Sequence, residues 1–139
     1  MAGAVEKKAS RSPCVLIVED NDDGRDSLKL MLTLHGCPVE TAADGVEGVR
    51  KGMQLRPVAA VIDVGLPGLS GYEVAWQLKS MFKRDVFLIA YTAWAATADR
   101  ERARQAGFDV LVAKPGEPQE LLRLLSIATD LPIQKPARR

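Results

Sequence analysis

This 139-residue chain is short of several things, and each shortage closes a class of function. It has only two cysteines, Cys14 and Cys37, whose spacing matches neither a metal-binding nor a redox motif, so both are expected to be buried, reduced thiols. The single histidine, His35, stands beside Gly36 with no acidic partner in view, which reads as a helix-end surface residue and not a phosphohistidine. No segment approaches the ~20 apolar residues of a membrane span, and the amino terminus lacks the apolar stretch of a signal peptide. A cytoplasmic protein without a membrane partner is expected. Net charge is also small. Of the total of +1, residues up to Pro13 carry +2 and residues after Asp130 carry +3, which leaves −4 for the middle and argues against a nucleic-acid surface there. The organisation expected is a disordered basic tail (1–12), one folded domain (13–130) and a basic carboxyl-terminal tail (131–139), without internal repeats.

What the chain does have is a series of short apolar runs that stop on chemistry. Val58-Ala59-Ala60-Val61-Ile62 reads as a strand covered on both faces, and it ends in Asp63, with Gly65, Pro67 and Gly68 breaking the chain at once. Cys14 to Val18 is a second such run, stopping on Glu19-Asp20-Asn21-Asp22-Asp23. Val39 to Ala42 is a weak strand. Val86 to Tyr91 ends at Thr92, and Val110 to Ala113 ends at Lys114-Pro115.

Helical stretches separate the runs. One starts near Asp22 with Leu28, Met31, Leu32 and Leu34 as its apolar face; one follows Asp44-Gly45 to about Leu55. Ser70 and Glu73 have capping-box spacing before a helix with Val74, Ala75, Leu78 and Phe82 inward and Tyr72 and Trp76 partly in the core. A charged helix is centred on Asp99 to Arg104, where Arg100, Arg102 and Arg104 read as a solvated face, and a last helix runs from Gln119 to about Ala128. Five strands alternating with five helices give an α/β fold with a doubly wound five-stranded parallel sheet.

In a parallel sheet the carboxyl ends of all strands share one edge, and that edge is where such folds bind ligands. Glu19, Asp20, Asp63, Thr92 and Lys114 can therefore converge although the sequence spreads them widely. Clustered carboxylates repel one another unless a cation is present, and a hard ion such as Mg²⁺ suits an oxygen site with few protein ligands. Lys114 and Thr92 offer a positive charge and a hydroxyl donor to an oxyanion on Asp63. The set reads as phosphoryl transfer onto Asp63.

These residues, together with Asp44-Gly45, Ile62-Asp63-Val64-Gly65-Leu66-Pro67-Gly68, Ala90-Tyr91-Thr92-Ala93, Ala106-Gly107-Phe108-Asp109 and Lys114-Pro115, resemble the receiver domain of two-component response regulators from about Cys14 to Ala128. The resemblance implies a flavodoxin-like (βα)5 fold with strand order 2-1-3-4-5, the order that flavodoxins and receivers share. It implies that Asp63 is the phosphoacceptor, served by a histidine kinase or a histidine phosphotransfer protein. It implies that Glu19, Asp20, Asp63 and the backbone carbonyl of Gly65 hold Mg²⁺, that Thr92 and Lys114 engage the phosphoryl group, and that the Lys114-Pro115 bond is cis. Such a chain is a switch and not an enzyme. With no second domain seen after Asp130, output is expected through an unidentified downstream protein, the receiver being stand-alone or excised from a hybrid kinase.

The sequence departs from the family in places. Leu111 stands where an aromatic residue is usual and cannot make the same rotamer swing. Gly65 and Trp94 occupy the positions that border the path of the hydrolytic water, and Trp94 is expected to shield the phosphoryl group. Two rival readings remain: a Mg²⁺-dependent aspartyl-phosphate phosphatase, whose usual second acid after the first strand is missing here, and a degenerate receiver acting only as a binding module.

Overall fold

The computed structural model describes residues 12–93, 97–114, 118–131 and 133. The expected tails lie mostly outside these residues. So do Trp94, with the shielding expected of it, and Pro115, with the expected cis bond. Within the described residues the elements are β1 (Ser12–Val18), α1 (Asp22–Leu34), β2 (Val39–Ala42), α2 (Gly45–Leu55), β3 (Pro57–Ile62), α3 (Gly71–Phe82), a 3₁₀ turn (Lys83–Asp85), β4 (Phe87–Thr92), α4 (Thr97–Ala106), β5 (Val110–Ala113) and α5 (Pro118–Ala128). The sheet is parallel throughout, in the order β2-β1-β3-β4-β5.

Successive strand residues point to opposite faces, so each buried run feeds two cores. Leu16, Val18, Ala60, Ile62, Leu88 and Ala90 face Val74, Ala75 and Leu78 of α3 and Ala103 of α4. Val15, Ile17, Ala59, Val61 and Ile89 face Leu28 and Leu32 of α1 and Leu121, Leu122 and Leu125 of α5. Helices thus cover both sides of the sheet, which leaves its edges for ligands.

Local chemistry starts and stops the helices. The Asn21 side chain accepts from the Gly24 N–H at 2.7 Å, Asp44 from Glu47 at 2.8 Å and Ser70 from Glu73 at 3.3 Å, each capping a helix start. Gly36 and Gly107 follow α1 and α4 with positive φ, which a residue without a Cβ adopts at no steric cost.

Leu34, expected on the apolar face of α1, and Trp76, expected partly in the core, both lie outside for one reason. Leu34 is 71% exposed and Trp76 59% exposed. Each lies two positions from a buried leucine or valine, which at 3.6 residues per turn is about 200° round the helix. The buried face of α2 is Gly45, Gly48 and Gly52, while Val46 is exposed. A Cβ on Gly48 would stand 2.9 Å from a Val18 methyl, and one on Gly52 2.6 Å from a Leu78 methyl. These glycines let α2 lie against β1 and α3 more closely than any side chain would allow.

Candidate functional site

The carboxyl ends of β1, β3, β4 and β5 carry Glu19 and Asp20, Asp63, Thr92 and Lys114 respectively, all at one edge of the sheet. Glu19, Asp20 and Asp63 each offer a carboxylate oxygen, and the three oxygens lie within 4.8 Å of one another. Lys114 reaches across from β5, with its Nζ 2.5 Å from Glu19 Oε1 and 3.3 Å from Asp63 Oδ2. Three carboxylates and one ammonium leave the cluster two negative charges in excess.

Each member is fixed in its own way. Glu19 is buried, its Oε2 accepts from the Asn21 N–H at 3.2 Å, and its backbone N–H donates to Ala42. Arg25 donates to the Glu19 carbonyl at 2.9 Å and to Asp22 at 2.6 Å, which ties the acidic turn to α1. Asp63 extends the ladder, its N–H donating to the Val18 carbonyl, while its Oδ1 accepts from the Gly65 N–H at 2.9 Å. Asp20 is exposed, so the acidic face opens to solvent. Thr92 is fully buried, and its carbonyl accepts from the Lys114 N–H at 2.7 Å, coupling the ends of β4 and β5. The Lys114 ammonium also stands 5.3 Å from the centre of the Tyr91 ring.

Burial pushes the Glu19 carboxyl above its ordinary pKa, and the Asp63 charge adds to this against the lowering by Lys114 and the Asn21 N–H. Burial works to lower the Lys114 pKa as well, but Glu19 and Asp63 outweigh it and hold the ammonium above its usual value. The 2.5 Å contact with Glu19 and the second carboxylate at 3.3 Å keep Lys114 in its charged form.

The loop between Asp63 and α3 is held from two sides. A Cβ on Gly45 would overlap the Leu69 carbonyl, and one on Gly71 would overlap the Asp63 carbonyl. The glycines at the starts of α2 and α3 thereby set where Asp63 sits. Sequence reasoning placed Gly45 at a helix start and Tyr91 beside Thr92, but foresaw neither the close approach made by Gly45 and Gly71, nor the contact of Tyr91 with Lys114, nor any role for Arg25. Asn21 was read only as part of the acidic run, and neither its cap on α1 nor its N–H on Glu19 was foreseen. Leu111 is partly buried against the core shared by α3 and α4. As a cluster, Glu19, Asp20 and Asp63 form a hard, oxygen-only donor set that fits a small divalent cation.

Comparison with known proteins agrees with this arrangement. Residues 15–126 match the family model of the response regulator receiver domain. The chain is 38% identical over 104 residues to "Transcriptional regulatory protein PrrA" of Mycobacterium leprae (strain TN), covering 75% of this chain and 44% of that protein. It is 34% identical over 112 residues to an uncharacterized 14.6 kDa protein of Leptolyngbya boryana, covering 80% and 86%. The chain thus spans less than half the length of the mycobacterial relative. Among solved structures, a CheY-like response regulator receiver domain protein from Methanospirillum hungatei JF-1 superposes with a TM-score of 0.80 at 28% identity, covering 86% of this chain and 94% of that one. Chemotaxis protein CheY4 of Vibrio cholerae gives 0.78 at 27% identity, covering 85% and 99%.

Proposed function

The chain belongs to the response regulator receiver domain family, and from that membership and the strand-end geometry we propose that it is a signalling switch phosphorylated on Asp63. The observation that carries the reading is the single Lys114 ammonium shared between Glu19 and Asp63 within a three-carboxylate cluster. Elements from the whole chain converge to make that contact.

In the proposed reaction an Asp63 oxygen attacks the phosphorus of a phosphohistidine on a histidine kinase or phosphotransfer protein. The new P–O bond forms as the P–N bond breaks, and the imidazole leaves. The Gly65 N–H holds Oδ1 and Lys114 faces Oδ2, so the carboxylate is oriented before the donor arrives. Lys114 then pairs with the phosphoryl oxygens, and the Thr92 hydroxyl donates to them. Glu19, Asp20, Asp63 and the Gly65 carbonyl would hold Mg²⁺, which when bound neutralises charge on the transferring group.

The new contacts made by Thr92 and Lys114 bias the domain toward a second conformation, because a modification shifts a population only by its differential interaction with the two states. The output is a changed surface read by a downstream protein, and no direct nucleic-acid contact is proposed for a folded region of net negative charge. Among the described residues no helix is long and apolar enough to cross a membrane, and phosphohistidine donors of this kind suit a switch in the cytoplasm. Apart from its own phosphorylation and dephosphorylation the domain turns over no substrate.

Intact mass after treatment with acetyl phosphate, with and without Mg²⁺, tests the reading. One added phosphoryl group that requires Mg²⁺ and is lost in Asp63→Asn is expected. Multiple turnover of added phosphate esters would indicate a phosphatase, and an unmodified chain would indicate a passive module.

A further inference from the structure

Lys114 is held by groups of two kinds. Its Nζ stands 2.5 Å from Glu19 Oε1 and 3.3 Å from Asp63 Oδ2, and it lies 5.3 Å from the centre of the Tyr91 ring. The carboxylates are a temporary hold. Both belong to the donor set that fits a divalent cation, and a cation bound there competes with the ammonium for their charge. In the reaction proposed above, Asp63 also loses its free carboxylate to the acyl phosphate. The face of the Tyr91 ring takes no metal and enters no bond, so its attraction for the ammonium outlasts both changes.

The fold fixes this ring beside the site. Tyr91 is the next-to-last residue of β4, in register with Val112 of β5 two residues before Lys114. It is half-buried and packs on the core between the sheet and the helices α1 and α5. Tyr91 and Lys114 together line a cavity of about 380 Å³, whose other walls include Leu28 and Met31 of α1 and Leu121 of α5. An ammonium released by its carboxylates has room to turn away from Asp63 into that space. The ring opposes the turn.

We propose that Tyr91 is a positioning residue for phosphoryl transfer, its ring holding the Lys114 ammonium at the strand ends while Glu19 and Asp63 are taken up by the cation and the phosphoryl group. The proposal deepens the switch reading and rests on it. An aliphatic residue satisfies the packing of a half-buried strand position as well as a tyrosine does; only an aromatic one presents a negative face to a cation. The phenol hydroxyl is not needed for this, so a phenyl ring serves in its place.

Two readouts test the proposal. The first needs no phosphodonor: proton NMR of the Lys114 side chain in EDTA and in excess Mg²⁺. Methylene protons beside an aromatic face resonate upfield, and the expected result is an upfield position that persists in Mg²⁺ and disappears in Tyr91→Leu. The second is the rate of phosphoryl uptake from acetyl phosphate at saturating Mg²⁺, followed by intact mass. Tyr91→Leu should slow it about fivefold and Tyr91→Phe should restore most of the loss. In a Lys114→Met chain, adding Tyr91→Leu should slow uptake no further, because the ring acts only through the ammonium. A merely structural Tyr91 would slow uptake equally in both backgrounds and would overturn the proposal. Lys114 resonances unmoved by Tyr91→Leu, an unchanged rate in that variant, or no recovery in Tyr91→Phe would overturn it too. An unsubstituted chain that takes up no phosphoryl group removes the switch and this role with it, whereas uptake at full rate in Tyr91→Leu removes the role alone.

Discussion

Replacing Asp63 by Asn should stabilise the protein in the absence of divalent ions, although it removes a side chain with two hydrogen-bonded neighbours. The carboxylates of Glu19, Asp20 and Asp63 present oxygens no more than 4.8 Å apart. At that separation and an effective dielectric constant of about 20, each pair of charges repels by about 3.5 kcal/mol, so Asp63 meets about 7 kcal/mol of repulsion from the other two. Its attraction to Lys114 at 3.3 Å is worth about 5 kcal/mol on the same scale. The balance is unfavourable by about 2 kcal/mol, and solvent around exposed Asp20 reduces it to about 1 kcal/mol. Asparagine keeps an oxygen for the Gly65 N–H. Urea and thermal unfolding in EDTA should therefore show Asp63→Asn more stable by about 1 kcal/mol, or about 3–4 °C in Tm for a domain of this size. Excess Mg²⁺ should stabilise the unsubstituted chain by more than the variant, by up to about 2.7 kcal/mol at a hundredfold excess over Kd, and so reverse the order. An Asp63→Asn protein less stable in EDTA, or equal stabilisation of both by Mg²⁺, would refute the reasoning.

Other consequences are as direct. Gly45→Ala, whose methyl would overlap the Leu69 carbonyl, should cost about 3 kcal/mol, whereas Gly68→Ala, in open space at φ +71°, should cost about 1 kcal/mol of backbone strain; comparable losses in urea unfolding would contradict the close approach of α2. Lys114→Met leaves Glu19 buried without its cation, at a cost of about 2 kcal/mol, and should tighten Mg²⁺ binding in calorimetry because a competing positive charge is gone. Burial, with a smaller contribution from Cys14, pushes the Cys37 thiol up to about 11. The native protein should therefore resist alkylation there at pH 8, where only about a thousandth of such a thiol is thiolate. Because the folded state holds that proton more tightly, the stabilisation is complete below the ordinary thiol value and is lost as pH rises through 9 toward 11. A Tm that falls less steeply over that window in Cys37→Ala than in the unsubstituted chain would show it, the remaining fall coming from groups such as Cys14, whose thiol is also raised by burial.

The strand ends were legible because the chemistry follows each apolar run immediately. Ile62 then Asp63, Val18 then Glu19, Tyr91 then Thr92, and Ala113 then Lys114 need only a parallel sheet to bring them together. Strand order was not legible from periodicity, since the apolar runs of β1, β3 and β4 are buried on both faces and carry no alternation, and it came from the family resemblance. Helix orientation was legible only in part. Counting apolar residues put Leu34 on the apolar face of α1 and Trp76 partly in the core, but the buried stripe is set by residues three and four apart, and both fall outside it. The packing of α2 through glycines carries no hydrophobic signal at all. Arg25 and Tyr91 act on Glu19 and Lys114 across distances that the one-dimensional pattern does not encode.

The central claim is that Asp63 becomes the acyl phosphate. Borohydride reduction of the acetyl phosphate-treated protein, followed by peptide sequencing, reads the modified position directly. Homoserine at position 63, formed only when Mg²⁺ was present, is the predicted result; homoserine at Asp20 or elsewhere, or at no position, would contradict it.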